Sequence, residues 1–250
     1  MDTLTPVEVA PRVYRLGSKV VNWYLVEDGG RLTAVDAGLP GFGAHLEADL
    51  RTLGRRVEDV HAVVLTHSDS DHTGLVPKLR EAGARVMIHE ADEQTLREPA
   101  PKGGDGRPAR MAALMWRPRF WRFMGHMARG GGGHPARIDG ARTLADGEIL
   151  DVPGSPRVVH TPGHTAGHSA LLLEDRGVLF VGDALCTVNP LTGRSGPRVM
   201  PFGNLSDDTS LASLAAIEGL EAGVLLPGHG QPWHGGPGAA VARAREVARG

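Results

Sequence analysis

The stretch Thr66-His67-Ser68-Asp69-Ser70-Asp71-His72 places two imidazoles and two carboxylates within six residues. It follows residues 61–65, a mostly apolar run that is typical of a buried strand. Without a cation, the carboxylates of Asp69 and Asp71 would repel each other at close range. Imidazole and carboxylate together suit divalent ions such as zinc, and also manganese or iron. The stretch therefore predicts a metal site at the end of a strand.

Three further motifs contain the same residue types, and each lies at the end of a predicted strand. They are Thr161-Pro162-Gly163-His164-Thr165-Ala166-Gly167-His168 after strand 157–160, Val181-Gly182-Asp183-Ala184 after strand 178–181, and Pro227-Gly228-His229-Gly230 after strand 224–226. In layered α/β folds the carboxyl ends of the strands form one rim, where sites are assembled. We therefore expect His164, Asp183 and His229 to approach the cluster at 67–72 in space.

Strand and helix patterns alternate along the chain and predict an α/β fold. The other predicted strands are 12–16, 20–26, 32–35, 85–89 and 170–173. The predicted helices are 43–53, 73–82, 208–220 and 239–248. Two strand-rich halves are compatible with two facing sheets.

The order and flanks of the four motifs resemble those of the metallo-β-lactamase fold superfamily. The family's motifs read H-x-H-x-D-H, T-P-G-H-T-x-G-H, an Asp after a strand, and P-G-H-G, and the resemblance covers almost the whole chain, from Val35-Asp36-Ala37-Gly38 to His229. It implies a four-layer αββα sandwich with two metal ions on the rim between the sheets. It also implies the ligands, which are His67, Asp69 and His164 for one ion and Asp71, His72 and His229 for the other, with Asp183 between the ions. Asp36 and His168 would support these ligands without touching the metal.

One position departs from the family motif, because Asp69 stands where the family has its second histidine. Three carboxylates against two divalent cations leave a net charge of +1, whereas the usual two carboxylates leave +2, so the centre should acidify water less. Asp is also a shorter and harder ligand than His. We expect two zinc ions, with iron or manganese as alternatives because of Asp69. Flavodiiron proteins of the same superfamily have a Glu at this position, which makes an iron-dependent redox enzyme an alternative.

Residues 98–140 interrupt the pattern and predict a helical insertion. Trp116, Phe120, Trp121 and Phe123 lie within eight residues, in a chain with only 4% aromatic residues. Arginines accompany them at positions 107, 110, 117, 119, 122 and 129. We interpret the insertion as a lid or helical cap packed on the sandwich, in which Pro118 should kink or split any helix. If the insertion covers the site, its arginines favour a substrate that is anionic and partly apolar.

Composition limits the classes of function. The 250 residues have a formal net charge of −2, which gives no general attraction to nucleic acid. No stretch approaches the ~20 apolar residues of a membrane span. The single cysteine, Cys186, excludes an internal disulfide. We expect one domain over residues 1–250, located in the cytoplasm, with a small molecule as its substrate.

The predicted function is a metal-dependent hydrolase of an ester, thioester, lactone or related acyl compound. A metal-bound hydroxide would attack the carbonyl, and the charge of the metal would stabilise the oxyanion. Asp71 is the predicted catalytic residue, since it would both ligate the second ion and orient the attacking water. The alternatives are the iron-dependent redox enzyme and a relative that binds a ligand without catalysis.

Overall fold

The strands form two large sheets and one short ribbon. The computed structural model describes residues 3–99, 114–133 and 135–249. The strands in these ranges are β1 (Val7–Ala10), β2 (Val13–Gly17), β3 (Asn22–Asp28), β4 (Arg31–Val35), β5 (Val60–Val64), β6 (Arg85–His89), β7 (Arg142–Leu144), β8 (Arg157–His160), β9 (Ser169–Leu173), β10 (Val178–Gly182), β11 (Cys186–Val188), β12 (Ser195–Arg198) and β13 (Val224–Pro227).

The helices are short except for the two in the insertion and at the end of the chain. They are α1 (Leu46–Thr52), α2 (Ser70–Thr73), α3 (Val76–Glu81), α4 (Glu90–Arg97), α5 (Pro118–Arg129), α6 (Asp207–Ser213), α7 (Ala215–Glu218) and α8 (Gly236–Arg249), with 3-10 turns at Pro40–Ala44, Val57–Asp59 and Glu174–Arg176. Among the residues that the structure describes, no helix is long and apolar enough to cross a membrane.

The first sheet has seven strands in the order β1-β2-β3-β4-β5-β6-β7, antiparallel up to β4 and parallel from β4 to β7. The second sheet has the order β13-β10-β9-β8, and its β10 and β13 strands are parallel. The ribbon is the antiparallel pair of β11 and β12. Parallel neighbours end at the same edge of a sheet. The polar motifs therefore gather where β5, β10 and β13 end.

Alternating side chains place the first sheet between two cores. On β3, Trp23 and Leu25 pack towards α1 and α3, whereas Tyr24 and Val26 pack against the second sheet. A third core lies on the far side of the second sheet, where apolar residues of β9, β10 and β13 pack on α7 and α8. The layers are therefore helix, sheet, sheet and helix, and the predicted four-layer αββα sandwich is confirmed.

Two prolines lie where helices begin. The helix predicted at 73–82 starts later, at Val76 of α3, because the N–H groups of Gly74 and Leu75 donate to Gly38 O and Ala37 O and Pro77 has no N–H for the carbonyl of Thr73. The helical conformation is interrupted before Pro118, as predicted, since Leu114 is helical and residues 115–117 are not. Pro118 is the first residue of α5, where a missing N–H breaks no helical hydrogen bond.

The predicted helical insertion is represented by α5, which covers the rim of the sandwich. Phe120 and Phe123 are buried against Leu191, in a small core of their own. Residues 100–113, with the arginines at 107 and 110, and residue 134 lie outside the described residues. The described part of the insertion is thus a helical cap, as predicted.

Candidate metal centre

The seven predicted ligands converge at one rim of the sandwich. His67 and Asp69 lie in the loop between β5 and α2, and Asp71 and His72 lie on α2 itself. The other three lie after further strands, namely His164 after β8, Asp183 after β10 and His229 after β13. The histidines are at most 3% exposed, which shows that the polar cluster is enclosed by protein.

Six of the seven residues form two triads. In the first triad, Asp69 Oδ2 lies 3.0 Å from His164 Nε2 and 3.6 Å from His67 Nε2. In the second triad, Asp71 Oδ2 lies 3.4 Å from His229 Nε2 and 3.8 Å from His72 Nε2. The candidate ligand atoms within each triad all lie within 4.8 Å of one another. Such spacing suits a cation that contacts all three atoms at about 2 Å.

Asp183 faces both triads. Its Oδ2 lies 3.2 Å from His229 Nε2 and 3.6 Å from His164 Nε2, and its Oδ1 lies 3.6 Å from His72 Nε2. One carboxylate therefore has an oxygen near a histidine of each triad, which is the arrangement required of a bridging ligand.

The carboxylate of Asp36 orients the histidines of the first motif. Asp36 Oδ2 accepts the Nδ1–H of His72 at 2.8 Å. The hydroxyl of Thr66 donates to Asp36, at 2.9 Å from Oδ2, and lies 2.9 Å from His67 Nδ1. Because that hydroxyl proton is given to Asp36, the oxygen accepts the Nδ1–H of His67. Both rings therefore carry the proton on Nδ1 and direct Nε2 into the centre.

The other two histidines are oriented by acceptors from distant segments. His164 Nδ1 lies 2.8 Å from Asn204 Oδ1. The amide group of Asn204 donates to Met200 O and to Asp207, so the orientation of its oxygen is set. His229 Nδ1 donates to the carbonyl of Val20 at 2.6 Å. All four Nε2 atoms consequently face inward as lone-pair donors when the rings are neutral.

The centre leaves buried polar atoms without hydrogen-bond partners. His67 Nε2, His72 Nε2 and Asp183 Oδ1 are fully buried and have no such partner among the described residues. Burying polar atoms in this state is costly unless something else compensates them. Divalent cations would do so, since imidazole nitrogen and carboxylate oxygen are their usual ligands. The donor set therefore fits the metal ions that the sequence predicts.

The charges of the cluster favour a cation. Burial alone would lower the pKa of His72, but Asp36, Asp183 and Asp71 raise it to about 9. Burial likewise opposes protonation of His229, yet Asp183 and Asp71 raise its pKa well above the ordinary value. Burial would raise the pKa of Asp183, but the neighbouring imidazoles hold it well below its usual range. A cation bound here replaces protons on Nε2 atoms, so binding should release protons.

Two residues that the sequence did not single out support the centre. The buried carboxylate of Asp92, on α4, accepts Ser68 N at 3.0 Å and Gly167 N at 2.7 Å, and so ties the loop of His67 to the loop of His164. Asn204 is the second. Neither stands in a recognisable motif, and only the fold brings them to the ligands.

His168 contacts the backbone next to the candidate ligands. Its Nε2 accepts the backbone N–H of Asp183 at 3.0 Å, and its Nδ1 lies 2.8 Å from the Thr161 hydroxyl. The ring therefore holds the backbone of Asp183. Gly228 allows a similarly close approach, since a Cβ there would lie 2.4 Å from Asp183 Oδ1 and 2.6 Å from His72 Cε1.

A chamber of about 710 Å³ opens above the centre. Its floor includes oxygen and nitrogen atoms of both triads, and its walls are largely apolar, with Phe123, Met124 and Met127 from α5 and Met200 and Phe202 from the loop before α6. None of the described arginines lines this chamber. Arg119 and Arg122 instead line a neighbouring cavity. The described part of the insertion thus covers the centre with apolar side chains rather than with its arginines.

Comparisons with known proteins agree with the fold and the motifs. The chain is 27% identical over 246 residues to the probable metallo-hydrolase YflN of Bacillus subtilis (strain 168), a match that covers 91% of this chain and 87% of YflN. It is 30% identical over 176 residues to the uncharacterized protein YobT of the same strain, covering 66% of this chain. That match spans 61% of YobT, less than two thirds of its length.

A solved structure shares the architecture. The metallo-beta-lactamase family protein TTHA1429 from Thermus thermophilus superposes with a TM-score of 0.68 at 29% sequence identity, covering 97% of this chain and 81% of that protein. The family model of the metallo-beta-lactamase superfamily matches residues 16–229, from β2 to the last histidine of the centre. The resemblance predicted from the four motifs is therefore confirmed, and the chain belongs to the metallo-beta-lactamase superfamily.

Proposed function

We propose that this protein is a metal-dependent hydrolase that cleaves an ester, thioester, lactone or related acyl compound. The observation that carries the proposal is the pair of triads facing Asp183 on the floor of an apolar chamber. His67, Asp69 and His164 would hold one cation, and Asp71, His72 and His229 would hold the second. Asp183 would contact both.

The chemistry requires a water molecule and a carbonyl group above the triads. Bound divalent cations supply Lewis acidity, which acidifies water and polarises a carbonyl group. Burial would raise the pKa of Asp71, but the imidazoles of His72 and His229 lower it, so its carboxylate is ionised. In this state Asp71 accepts a hydrogen bond from the attacking water and orients it towards the carbonyl carbon.

The chamber supports an acyl substrate of small-molecule size. Its volume of about 710 Å³ lies within the range of small-molecule sites. Phe123, Met127 and Phe202 would pack against an apolar acyl chain and exclude bulk water from the carbonyl group. The polar floor and apolar walls therefore suit a substrate that is apolar beside its scissile bond.

We propose two zinc ions, with iron or manganese as alternatives at the triad that contains Asp69. The carboxylate of Asp69 lies 3.0 Å from His164 Nε2 and would add a third negative charge to the centre. Hard oxygen ligands favour iron and manganese more than imidazole ligands do. This same carboxylate is the observation that favours the second candidate function, an iron-dependent redox enzyme.

The test combines metal analysis with substrate assays. Protein purified without added metal is analysed for zinc, iron and manganese, and is then assayed on esters, thioesters, lactones and β-lactams with and without oxygen. A hydrolase turns over at least one acyl class without oxygen, loses that activity to a chelator and regains it with the native metal. Turnover that needs iron and oxygen would favour the redox enzyme. Binding of acyl compounds without turnover would favour a ligand-binding protein.

The variant Asp71→Ala tests the proposed catalytic residue. It should abolish hydrolysis while the circular dichroism spectrum stays native. Asp175→Ala, which removes an exposed carboxylate far from the rim, is the control. Full activity in Asp71→Ala would remove the water-orienting role from the proposal.

A further inference from the structure

A second cavity, of about 420 Å³, adjoins the chamber at His229 and Phe123, which line both spaces. We call it the basic pocket, because Lys19, Arg119, Arg122 and His126 line it and no carboxylate of the described residues does. A ligand in the chamber therefore has the basic pocket within reach on the side of the second triad.

Lys19, Arg119 and Arg122 have no counter-ion among the described residues. They form no ion pair and no side-chain hydrogen bond within the part of the chain that the structure describes. Other described arginines do have such partners. Arg157, for example, forms an ion pair with Glu174 at 2.7 Å. Three cations around one cavity attract an anion.

The walls of the basic pocket are held in place by hydrogen bonds. Ser18 Oγ accepts the backbone N–H groups of Val20 and Val21, each at 3.1 Å, and lies 3.0 Å from His126 Nε2 of α5. Val20 O in turn accepts the Nδ1–H of His229. The turn that carries Lys19 is thus tied both to α5 and to the second triad. These ties fix the backbone that carries Lys19 relative to α5 and to the second triad.

Arg119 is solvent-exposed, although its guanidinium is packed on one side. Its guanidinium lies against the backbone of Gly193, where a Cβ would lie 2.5 Å from Cζ. A larger residue at 193 would displace this guanidinium. The glycine therefore provides the space in which a planar group faces the cavity.

Helix α5 lies between the basic pocket and the chamber, and two different faces of the helix line them. Arg119, Arg122 and His126 follow the spacing of one helix face and line the basic pocket, whereas Met124, Met127 and Ala128 form another face and line the chamber. Phe123 lies between the two faces and lines both spaces. The helix thus presents cations to one side of the metal centre and apolar groups to the other.

We propose that the basic pocket binds an anionic oxygen group of the substrate, a carboxylate or a phosphate, while the apolar acyl chain occupies the chamber. This inference rests on the proposed function and specifies its substrate class, an acyl compound whose leaving group is anionic. The scissile carbonyl then lies between the two spaces, above the triads. Arg119 and Arg122 supply the paired N–H groups that match such anions, and Lys19 adds a point charge.

A matched pair of thioesters tests the substrate preference. The hexanoyl thioester of 3-mercaptopropionate is negatively charged, and that of 3-mercaptopropionamide has nearly the same shape without the charge. The wild type should prefer the charged thioester by about tenfold or more in kcat/KM, mainly through KM, as expected for one or more charge-assisted hydrogen bonds. The hexanoyl thioester of 3-mercaptopropyl phosphate distinguishes a phosphate from a carboxylate preference.

Variants that each remove one charge from α5 test which arginines cause the preference for the charged thioester. In Arg119→Gln and Arg122→Gln the ratio of charged to neutral kcat/KM should fall towards one. Arg117→Gln, which removes the same charge from the N-cap of α5 outside both spaces, should keep the wild-type ratio. An equal ratio in all four proteins, or no preference in the wild type, would overturn the inference and leave the hydrolase proposal standing.

A binding measurement separates the inference from the proposed function. The thioether 3-(hexylthio)propionate has no carbonyl group at the position of cleavage and can be titrated calorimetrically, with its propionamide counterpart as the neutral ligand. The acid should bind the wild type about tenfold more tightly than the amide, and this difference should shrink in Arg119→Gln and Arg122→Gln. If no ester, thioester, lactone or β-lactam is hydrolysed but this pattern appears, the hydrolase proposal fails and the basic pocket stands. If acid binding is unchanged by both variants, the anion binds elsewhere and the inference is wrong.

Discussion

His72 donates its Nδ1–H to the carboxylate of Asp36 at 2.8 Å, and Asp36 holds a backbone φ of 60° that non-glycine residues seldom adopt. The same carboxylate accepts Thr66 N at 2.8 Å and the Thr66 hydroxyl that faces His67. One strained acid thus orients a histidine of each triad, which is a reason for the structure to retain the strain.

Asp36→Asn should weaken metal binding about 10- to 100-fold. Asparagine tolerates a positive φ, so the backbone should keep its path. The carboxylate of Asp36 uses two oxygens to accept from Thr66 N, the Thr66 hydroxyl and His72, whereas the amide of asparagine has only one oxygen. The rings should therefore lose their orientation. Competition with a chromophoric chelator measures the affinity. Asp175→Asn, a change to an exposed carboxylate, is the control, and equal affinities in the two variants would argue against the orienting role.

Asp69→His should raise the zinc content of the first triad, because imidazole is a better zinc ligand than carboxylate. The side chain of Asp69 is 26% exposed and lines the chamber, so the larger imidazole ring of a histidine has space there. Zinc per chain is measured by elemental analysis after dialysis against a limiting zinc concentration. Thr95→His adds an imidazole to the wall of the same chamber and controls for simple surface binding. Unchanged zinc content in Asp69→His would mean that position 69 does not contact the ion.

Gly228→Ala should lower both stability and metal content. A Cβ at 228 would lie 2.4 Å from Asp183 Oδ1 and 2.6 Å from His72 Cε1, so the two ligands have to move apart. We expect a loss of about 1–3 kcal/mol in the free energy of unfolding, the usual range for overpacking. Gly223→Ala is the matched control, since its nearest neighbour is a backbone oxygen at 3.9 Å. Urea denaturation and metal analysis compare the two variants, and similar behaviour would contradict the proposed crowding.

His89 should make the protein less stable in mild acid. Its ring stacks on His160 with centroids 4.1 Å apart, and burial, followed by the charge of His160, lowers the pKa of His89 below 6.5. The unfolded chain therefore binds this proton more readily than the folded protein. The contribution of His89 to stability is complete above pH 6.5 and declines as the pH falls below that value. Protonation of Nδ1 would also remove the acceptor of Ala91 N at the start of α4.

The comparison of His89→Asn with the wild type isolates this effect. Asparagine retains a cap acceptor and has no proton to gain, so its free energy of unfolding should fall less between pH 7 and pH 5. The exposed residue His234, changed to Asn, is the control. Parallel stability curves for His89→Asn and the wild type would show that His89 does not contribute to the acid sensitivity.

Local patterns predicted most of the strands and the order of the candidate ligands. The strand predicted at 85–89 has the same bounds as β6, and the one at 157–160 has the same bounds as β8. Those predictions succeed because side-chain alternation and the motifs at strand ends depend on only a few consecutive residues. The helix predicted at 73–82 begins only at Val76, because the N–H groups of Gly74 and Leu75 donate to a distant segment, which an apolar spacing does not reveal.

By itself, the sequence determined the family, the four-layer sandwich and the residue types of the candidate centre, since each depends on short motifs and on their order. Only the tertiary structure decided which acceptors orient the four histidines, because Asp36, Asn204 and the carbonyl of Val20 come from segments far from the rings they hold. It also decided that α5 turns its methionines to the centre and Arg119 and Arg122 to the basic pocket. These features depend on how distant segments pack, and the geometry of packing is not contained in any one stretch of the chain.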